Sequence, residues 1–352
     1  MDIVKVLEEK KPEIDAVIER FIPRKFDENS LKFICGEPRY EFSDEVLTKA
    51  ICEPIWEFLD RGGKRWRPAL FLLVIEALGK DPKEFMDFVL VPEIIHNGSL
   101  IHDDIEDSAE LRRGLPCTYI KYGTDIAINL GSLMYFLPMI AFMRSDLDER
   151  TKTRIYETYL QEMINIHFGQ ATDISWHRGM GSDSITESQY LQMCAFKTGT
   201  LARLSAKLAA ILAGADDETV EKIGKFAESI GIAFQIQDDV LDIVGDPKKF
   251  GKAFGNDIKE GKRSLMVIYA LSHAPEDKKK RLLEILDMHT DDENLKREAI
   301  EILKECGAVE YAKNFAKKLI TETWAEIDEL LPESEAKKKL KAFVDFLVER
   351  EY

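Results

Sequence analysis

Cysteine is scarce and scattered in this chain. Cys35, Cys52, Cys117, Cys194 and Cys306 are odd in number and form no C-x-x-C pair. That excludes a thiolate zinc site and a disulfide framework, and makes a reducing cytoplasm the expected compartment. Positive charge is also in deficit. The 49 basic residues face 65 acidic ones, a formal net charge of -16, which argues against nonspecific nucleic-acid binding and against docking on an anionic membrane. No apolar run reaches the length of a membrane span. The nearest, LGSLMYFLPMIAFM at 130–143, is short and carries Pro138, so no span is expected. The N-terminal MDIVKVLEEKKPEIDAVIERF is amphipathic and lacks the apolar core of a signal peptide. Strand signals are nearly missing as well, with few runs of strict alternation.

Helical periodicity takes their place. In 220–242 the apolar positions Val220, Ile223, Ala227, Ile230 and Phe234 keep to one helix face, and similar patterns run to 335–350. They are broken at RGG (61–63), GKDPK (79–83), RGLP (113–116), HRGMGSDS (177–184), GDPKKFG (245–251) and APED (274–277). With 352 residues, 45% of them hydrophobic, the chain can bury a large core. The pattern predicts one all-α domain over 1–352 of about a dozen helices, with residues 1–30 as a peripheral addition.

Two acidic motifs stand out. LIHDDIEDSAELRRG carries Asp103, Asp104 and Asp107, and FQIQDDVLD carries Asp238, Asp239 and Asp242. Helical spacing puts Asp103 and Asp107 on the face of His96 and Leu100, and Asp238 and Asp242 on the face of Phe234, so both sets continue an apolar stripe. Carboxylates aimed at an interior are costly unless paired or bound to metal. Ligands that are all oxygen favour Mg²⁺. The basic residues then find a purpose. GGKRWRP places Lys64, Arg65 and Arg67 after two glycines, Arg112 and Arg113 follow the first motif, FKTGT offers Lys197 and Thr198, and FGKAFGNDIKEGKRS offers Lys252 and Lys262. In an acidic protein such clusters suit diphosphates.

In order along roughly residues 44–330, GGKRWRP, HNGSLIHDDIEDSAELRRG, GQATD, KTGT, FQIQDDVLD and GNDIKEGKRS resemble the motifs of trans-type polyprenyl diphosphate synthases. The resemblance implies a single large helical bundle around a deep apolar cavity, the type I isoprenoid synthase fold, with the two aspartate motifs across its mouth. It implies condensation of isopentenyl diphosphate with an allylic diphosphate. Asp103, Asp107 and Asp238 would hold about three Mg²⁺ ions, with Asp104, Asp239 and Asp242 completing the motifs through waters. Arg112, Lys197, Thr198, Gln235, Lys252 and Lys262 match positions that contact the allylic diphosphate or the nascent cation. Lys64, Arg67, His96 and Arg113 match the isopentenyl diphosphate pocket, supported by Gly63 and Arg65. Asn256 departs from the family, where many relatives have Lys.

Product length is the finest expectation. Gly98 and Ser99, one turn before Asp103, are small and would leave the channel open past the farnesyl length, with Tyr135 and Phe136 as a deeper floor. This resembles the geranylgeranyl-producing branch, so C20 is expected, with C25 or longer, or C15, as alternatives. A homodimer is implied by the resemblance alone. A terpene cyclase would need no isopentenyl pocket, and a non-catalytic partner subunit would tend to lose aspartates from one motif.

Overall fold

The computed structural model describes residues 3–181, 184–244 and 255–349, and over them helix forms wherever the sequence carries 3.6-residue periodicity. The expectation of one domain meets two compact units. The first comprises Met1–Tyr156 with Leu208–Gly214, the second Glu157–Lys207 with Ala215–Tyr352.

In the first unit the helix Trp66–Ala77 is buried on nearly every face, as a helix apolar all round must be. The N-terminal segment is not peripheral, contrary to expectation. Ile14, Ile18 and Ile22 of that segment are fully buried, Trp56 donates to the Ile22 carbonyl at 2.9 Å, and Asp15 pairs with Arg65 at 2.9 Å. The helix Leu90–Glu106 carries the first acidic motif and packs on Thr124–Phe136 through a notch of two glycines. A Cβ on Gly98 would lie 2.7 Å from Met134 Cβ, and one on Gly131 would lie 2.6 Å from the His102 ring. The smallness of Gly98 therefore serves helix packing rather than an open channel. The apolar segment extends farther than the sequence reading gave it. Thr124–Met143 has 20 residues, is apolar enough to cross a bilayer by composition, and is 61% buried inside the structure.

The second unit is built on Glu149–His177, Asp217–Val244 and Ala308–Asp328. Gly199 and Gly231 let its helices nearly touch: a Cβ on Gly231 would lie 2.5 Å from Gly199 Cα. Helices that the punctuation obscured appear where caps begin them. Thr186 and Gln189 form a capping box for Glu187–Cys194. APED, read as a break, starts Glu276–Asp287, with Pro275 at its N-cap and two acids in its first turn. Among the described residues the strands are two residues long, Leu111–Arg112 and Leu115–Pro116. They are joined by Arg113 and Gly114, both at positive φ (54° and 77°), the signature of a tight hairpin turn.

Candidate active site

The first acidic centre lies wholly in the first unit. The helix stops at Glu106 and Ser108 takes a left-handed φ of 54°, which turns the chain into the hairpin. Arg112 thus returns over the helix end, giving Nε to Asp104 Oδ1 at 2.7 Å and Nη2 to Asp103 Oδ2 at 3.3 Å. This answers why cations follow the acids so closely: the hairpin, not a continued helix, folds them back. The three aspartates are not equivalent. The Asp104 side chain is only 1% exposed, Asp103 is 22% exposed, and Asp107 is open to solvent. Burial raises Asp104 above the usual carboxylate range, and Arg112 partly offsets this. Burial lowers the Arg112 guanidinium, but Asp104 and Asp103 outweigh that and raise it.

Beside it, Gly62 and Gly63 have φ of 111° and 125°, and Arg65 starts the next helix from φ 51°. A Cβ on Gly63 would also crowd the guanidinium ends of Arg65 and Arg113, at 3.0 Å from Nη1 and 3.2 Å from Nη2. Arg65 is consumed internally by Asp15, Glu93 and the carbonyls of Gly62 and Leu59. Arg113 donates to the Gly62 carbonyl and to Asn97 Oδ1. Arg67 stacks its guanidinium over Trp66 at 4.3 Å, and burial brings it down to about 10. His96 is held well below its ordinary value by burial and by the charges of Arg67, Arg113, Arg112 and Arg65, so it is a neutral imidazole within a ring of cations. Lys64 is exposed.

The second centre lies in the second unit. Lys197 and Thr198 sit on a π-turn, Ala195–Gly199, a local distortion common at functional sites. Gly169 of the GQATD motif makes it possible, because any Cβ there would fall onto the Lys197 backbone nitrogen. Lys197 pairs with Asp173, and His177 lies 3.4 Å from the same carboxylate. Asp239 is buried, Asp238 half-buried. Asp239 accepts from Tyr190 and from Gln235, each at 2.8 Å, and Gln235 accepts from Thr198 at 3.0 Å. Burial and nearby Asp257 push Asp239 up to about 7. Asp242 is also buried and accepts the backbone N–H groups of Asn256 and Asp257 at 3.2 and 3.0 Å, so it caps the short helix Asn256–Lys259. Lys262 pairs with Asp257 at 2.9 Å and Glu260 at 2.8 Å. Lys252 lies outside the described residues.

Several partners lie outside the candidate set read from the sequence: Glu93, Asn97, Asp173, His177, Tyr190 and Glu260. Asn97, Asp173 and Glu260 carry a sequence signal, standing inside HNGSLIHDDIEDSAELRRG, GQATD and GNDIKEGKRS. Of the product-length candidates, Ser99 turns its hydroxyl to the His96 carbonyl at 2.8 Å. The Tyr135 hydroxyl meets His102 Nδ1 at 3.1 Å, and Phe136 is 65% exposed.

Buried atoms without partners point to what is to be bound. Arg67 Nε is a donor and Asp104 Oδ2 an acceptor with no hydrogen bond, one asking for an anion and the other for a proton donor or cation. Among the described residues no three His, Cys, Asp or Glu side chains gather into a metal cage. Isolated carboxylates of this kind suit Mg²⁺, which takes most of its shell from waters and substrate phosphates.

A family model described as polyprenyl synthetase matches residues 48–303. The short chain isoprenyl diphosphate synthase of Methanothermobacter thermautotrophicus is 36% identical over 320 residues, covering 89% of this chain and 96% of its own. The geranylfarnesyl diphosphate synthase of Aeropyrum pernix is 36% identical over 296 residues, covering 82% and 91%. The crystal structure of geranylgeranyl pyrophosphate synthetase from Pyrococcus horikoshii superposes with a TM-score of 0.85 at 33% identity, covering 99% of each chain.

Proposed function

The chain belongs to the polyprenyl synthetase family and is a prenyltransferase, and from that premise we propose that it joins isopentenyl diphosphate head-to-tail to an allylic diphosphate to give the C20 product. The observation that carries this reading is the ring of Arg67, Arg113 and Arg112 around a neutral His96, about two turns from partly exposed Asp103 on the same helix. An acidic protein concentrates cations in this way to hold a phosphate-bearing substrate.

The family is Mg-dependent in general, and here Asp103, Asp107 and Asp238 would hold about three ions, which when bound would supply positive charge to the departing diphosphate. Arg112, Lys197 and Lys262 bind that diphosphate, with Lys252 as a further candidate. Lys197 and Lys262 exchange part of their pairing with Asp173, Asp257 and Glu260 for phosphate oxygens. Gln235 and Thr198 present oxygen dipoles to the allylic carbon as it becomes cationic. Arg67, Arg113, Lys64 and neutral His96 fix isopentenyl diphosphate so that its double bond attacks that carbon. One C–C bond forms, the C–O bond to diphosphate breaks, and the new cation loses a proton to the released diphosphate.

Ser99 lies on the half-buried side of its helix and is the residue we assign to the channel wall. Exposed Phe136 shares its helix with half-exposed Ile128, eight positions earlier, and within the second unit Leu160, Ile164 and Phe168, spaced by four on one helix, are each more than half exposed. Apolar faces of this kind support a homodimer. The net charge and absent thiol pairs support a cytoplasmic enzyme.

The test incubates the protein with isopentenyl diphosphate, Mg²⁺ and C5, C10 or C15 allylic primers, then sizes the dephosphorylated products. A dominant C20 alcohol is expected, shortened in Ser99→Phe. A C25 product would replace the length assignment, and no elongation would replace the enzyme with a partner subunit.

A further inference from the structure

Tyr190 is among the largest fully buried side chains of the protein, yet it ends in a hydroxyl that serves no packing need. Its helix, Glu187–Cys194, is set at its start by the Thr186–Gln189 capping box, so the ring is presented from a fixed origin. The hydroxyl donates to Asp239 Oδ2, and the other oxygen of that carboxylate accepts from Gln235 Nε2, both at 2.8 Å. An amide that gives its nitrogen to Asp239 must offer its oxygen on the opposite side. There it accepts the Thr198 hydroxyl at 3.0 Å. Three hydrogen bonds thus run as one chain from Tyr190 to Thr198, and each fixes the direction of the next.

We propose that Tyr190 is a positioning residue for prenyl transfer: by holding Asp239 it pins the oxygen ends of Gln235 and Thr198 and the rotation of the helix turn that carries Asp238. This rests on the prenyl-transfer reading above. Without the hydroxyl, a buried carboxylate oxygen has no donor, Asp239 turns, and Gln235 loses its fixed amide orientation. The fold is kept because a phenyl ring fills the same space.

The test is Tyr190→Phe, with Thr198→Val and the double variant. In Tyr190→Phe, kcat should fall roughly ten- to a hundredfold, the scale of one hydrogen bond to a buried charge. KM for isopentenyl diphosphate should stay unchanged. Calorimetric titration with inorganic pyrophosphate and Mg²⁺ should show weakened binding in the same variant, independent of turnover. The double variant should be no worse than its worse single, as members of one chain are. The pair Tyr190→Phe with Asp239→Asn leaves no buried charge without a donor, so it guards against a folding defect and should keep the weakened pyrophosphate binding. Wild-type kcat and pyrophosphate affinity in Tyr190→Phe would overturn the proposal, as would additive losses in the double variant. An equal fall for both substrates with a lower Tm would also overturn it, leaving Tyr190 a structural residue. An inactive wild type would instead sink the prenyl-transfer reading, while the pyrophosphate titration would still judge Tyr190.

Discussion

The two acidic centres share a spelling and differ in how their charge is compensated. In each DDxxD the second aspartate is buried, Asp104 and Asp239, and the first is more open. Asp104 is met by a guanidinium, Arg112, whereas Asp239 is met by neutral donors, a phenol and an amide. The third positions diverge further: Asp107 ends its helix in solvent, and Asp242 is buried as the cap of another helix. The same motif therefore sets one buried carboxylate against a guanidinium and the other against neutral hydrogen-bond donors. Sequence spacing places carboxylates; it does not say which of them the protein itself neutralises.

The largest effects should come from the open first positions. Asp103→Asn and Asp238→Asn should each lower kcat by about 10²–10³-fold, the scale for one preorganised electrostatic contact, while Tm stays near that of the wild type. Asp242→Asn should instead lower Tm, since it weakens a cap. A large Tm loss in Asp103→Asn would break the division between open and structural positions.

The buried second positions sharpen it further. Asp104→Ala leaves Arg112 facing Asp103 alone and should cost about 2 kcal/mol, below the range for a fully buried pair because Arg112 keeps some solvent. Asp239→Asn should act in the opposite direction at high pH. The folded protein holds the Asp239 proton up to about 7, against an ordinary value of 3.8, and the unfolded chain releases it earlier. The stability from this group is therefore full below 3.8 and is lost as pH rises to about 7. Metal-free melts should show that loss in the wild type and less of it in Asp239→Asn. Identical profiles would mean that Asp239 is compensated like Asp104.

The glycine notches offer a steric version of the same comparison. A methyl at Gly169 would strike backbone at Lys197, which cannot swing aside, whereas one at Gly98 meets the Met134 side chain at 2.7 Å and the Gly131 carbonyl at 3.0 Å. Gly169→Ala should cost about 2–3 kcal/mol and Gly98→Ala about 1–2 kcal/mol, the range for overpacking. Gly169→Ala should also reduce activity by moving Lys197. Denaturant melts rank the two.

Much of this was legible in the sequence. Periodicity placed the long helices because burial follows the 3.6-residue repeat, and the motifs placed Asp103, Asp238, Lys197 and Lys262. The capped helix Glu276–Asp287 was lost because Pro275 opens a helix as readily as it breaks one. The hairpin at 111–116 is too short to show alternation, so the return of Arg112 to Asp104 had no local signal. The N-terminal helix reads as peripheral from sequence because Ile14 and Ile18 are buried by residues distant in the chain. Gly98 was read as an opening because sequence shows that a residue is small but not what lies against it.

His96 separates the centres by pH in the other direction. Its folded value lies well below 6.5 through burial and the surrounding arginines, so the folded chain refuses a proton that the unfolded chain accepts. Stability from this group is complete above 6.5 and declines as pH falls below it, by up to about 1.4 kcal/mol per pH unit for one proton. His96→Gln keeps a neutral polar side chain and should flatten that acid limb in melts between about pH 7 and pH 5. Pyrophosphate should do the same to the wild type, since an anion among Arg67, Arg113 and Arg112 screens the cations that depress the imidazole. A limb unchanged by both would place the anion outside the His96 ring and return the isopentenyl pocket to the exposed Lys64.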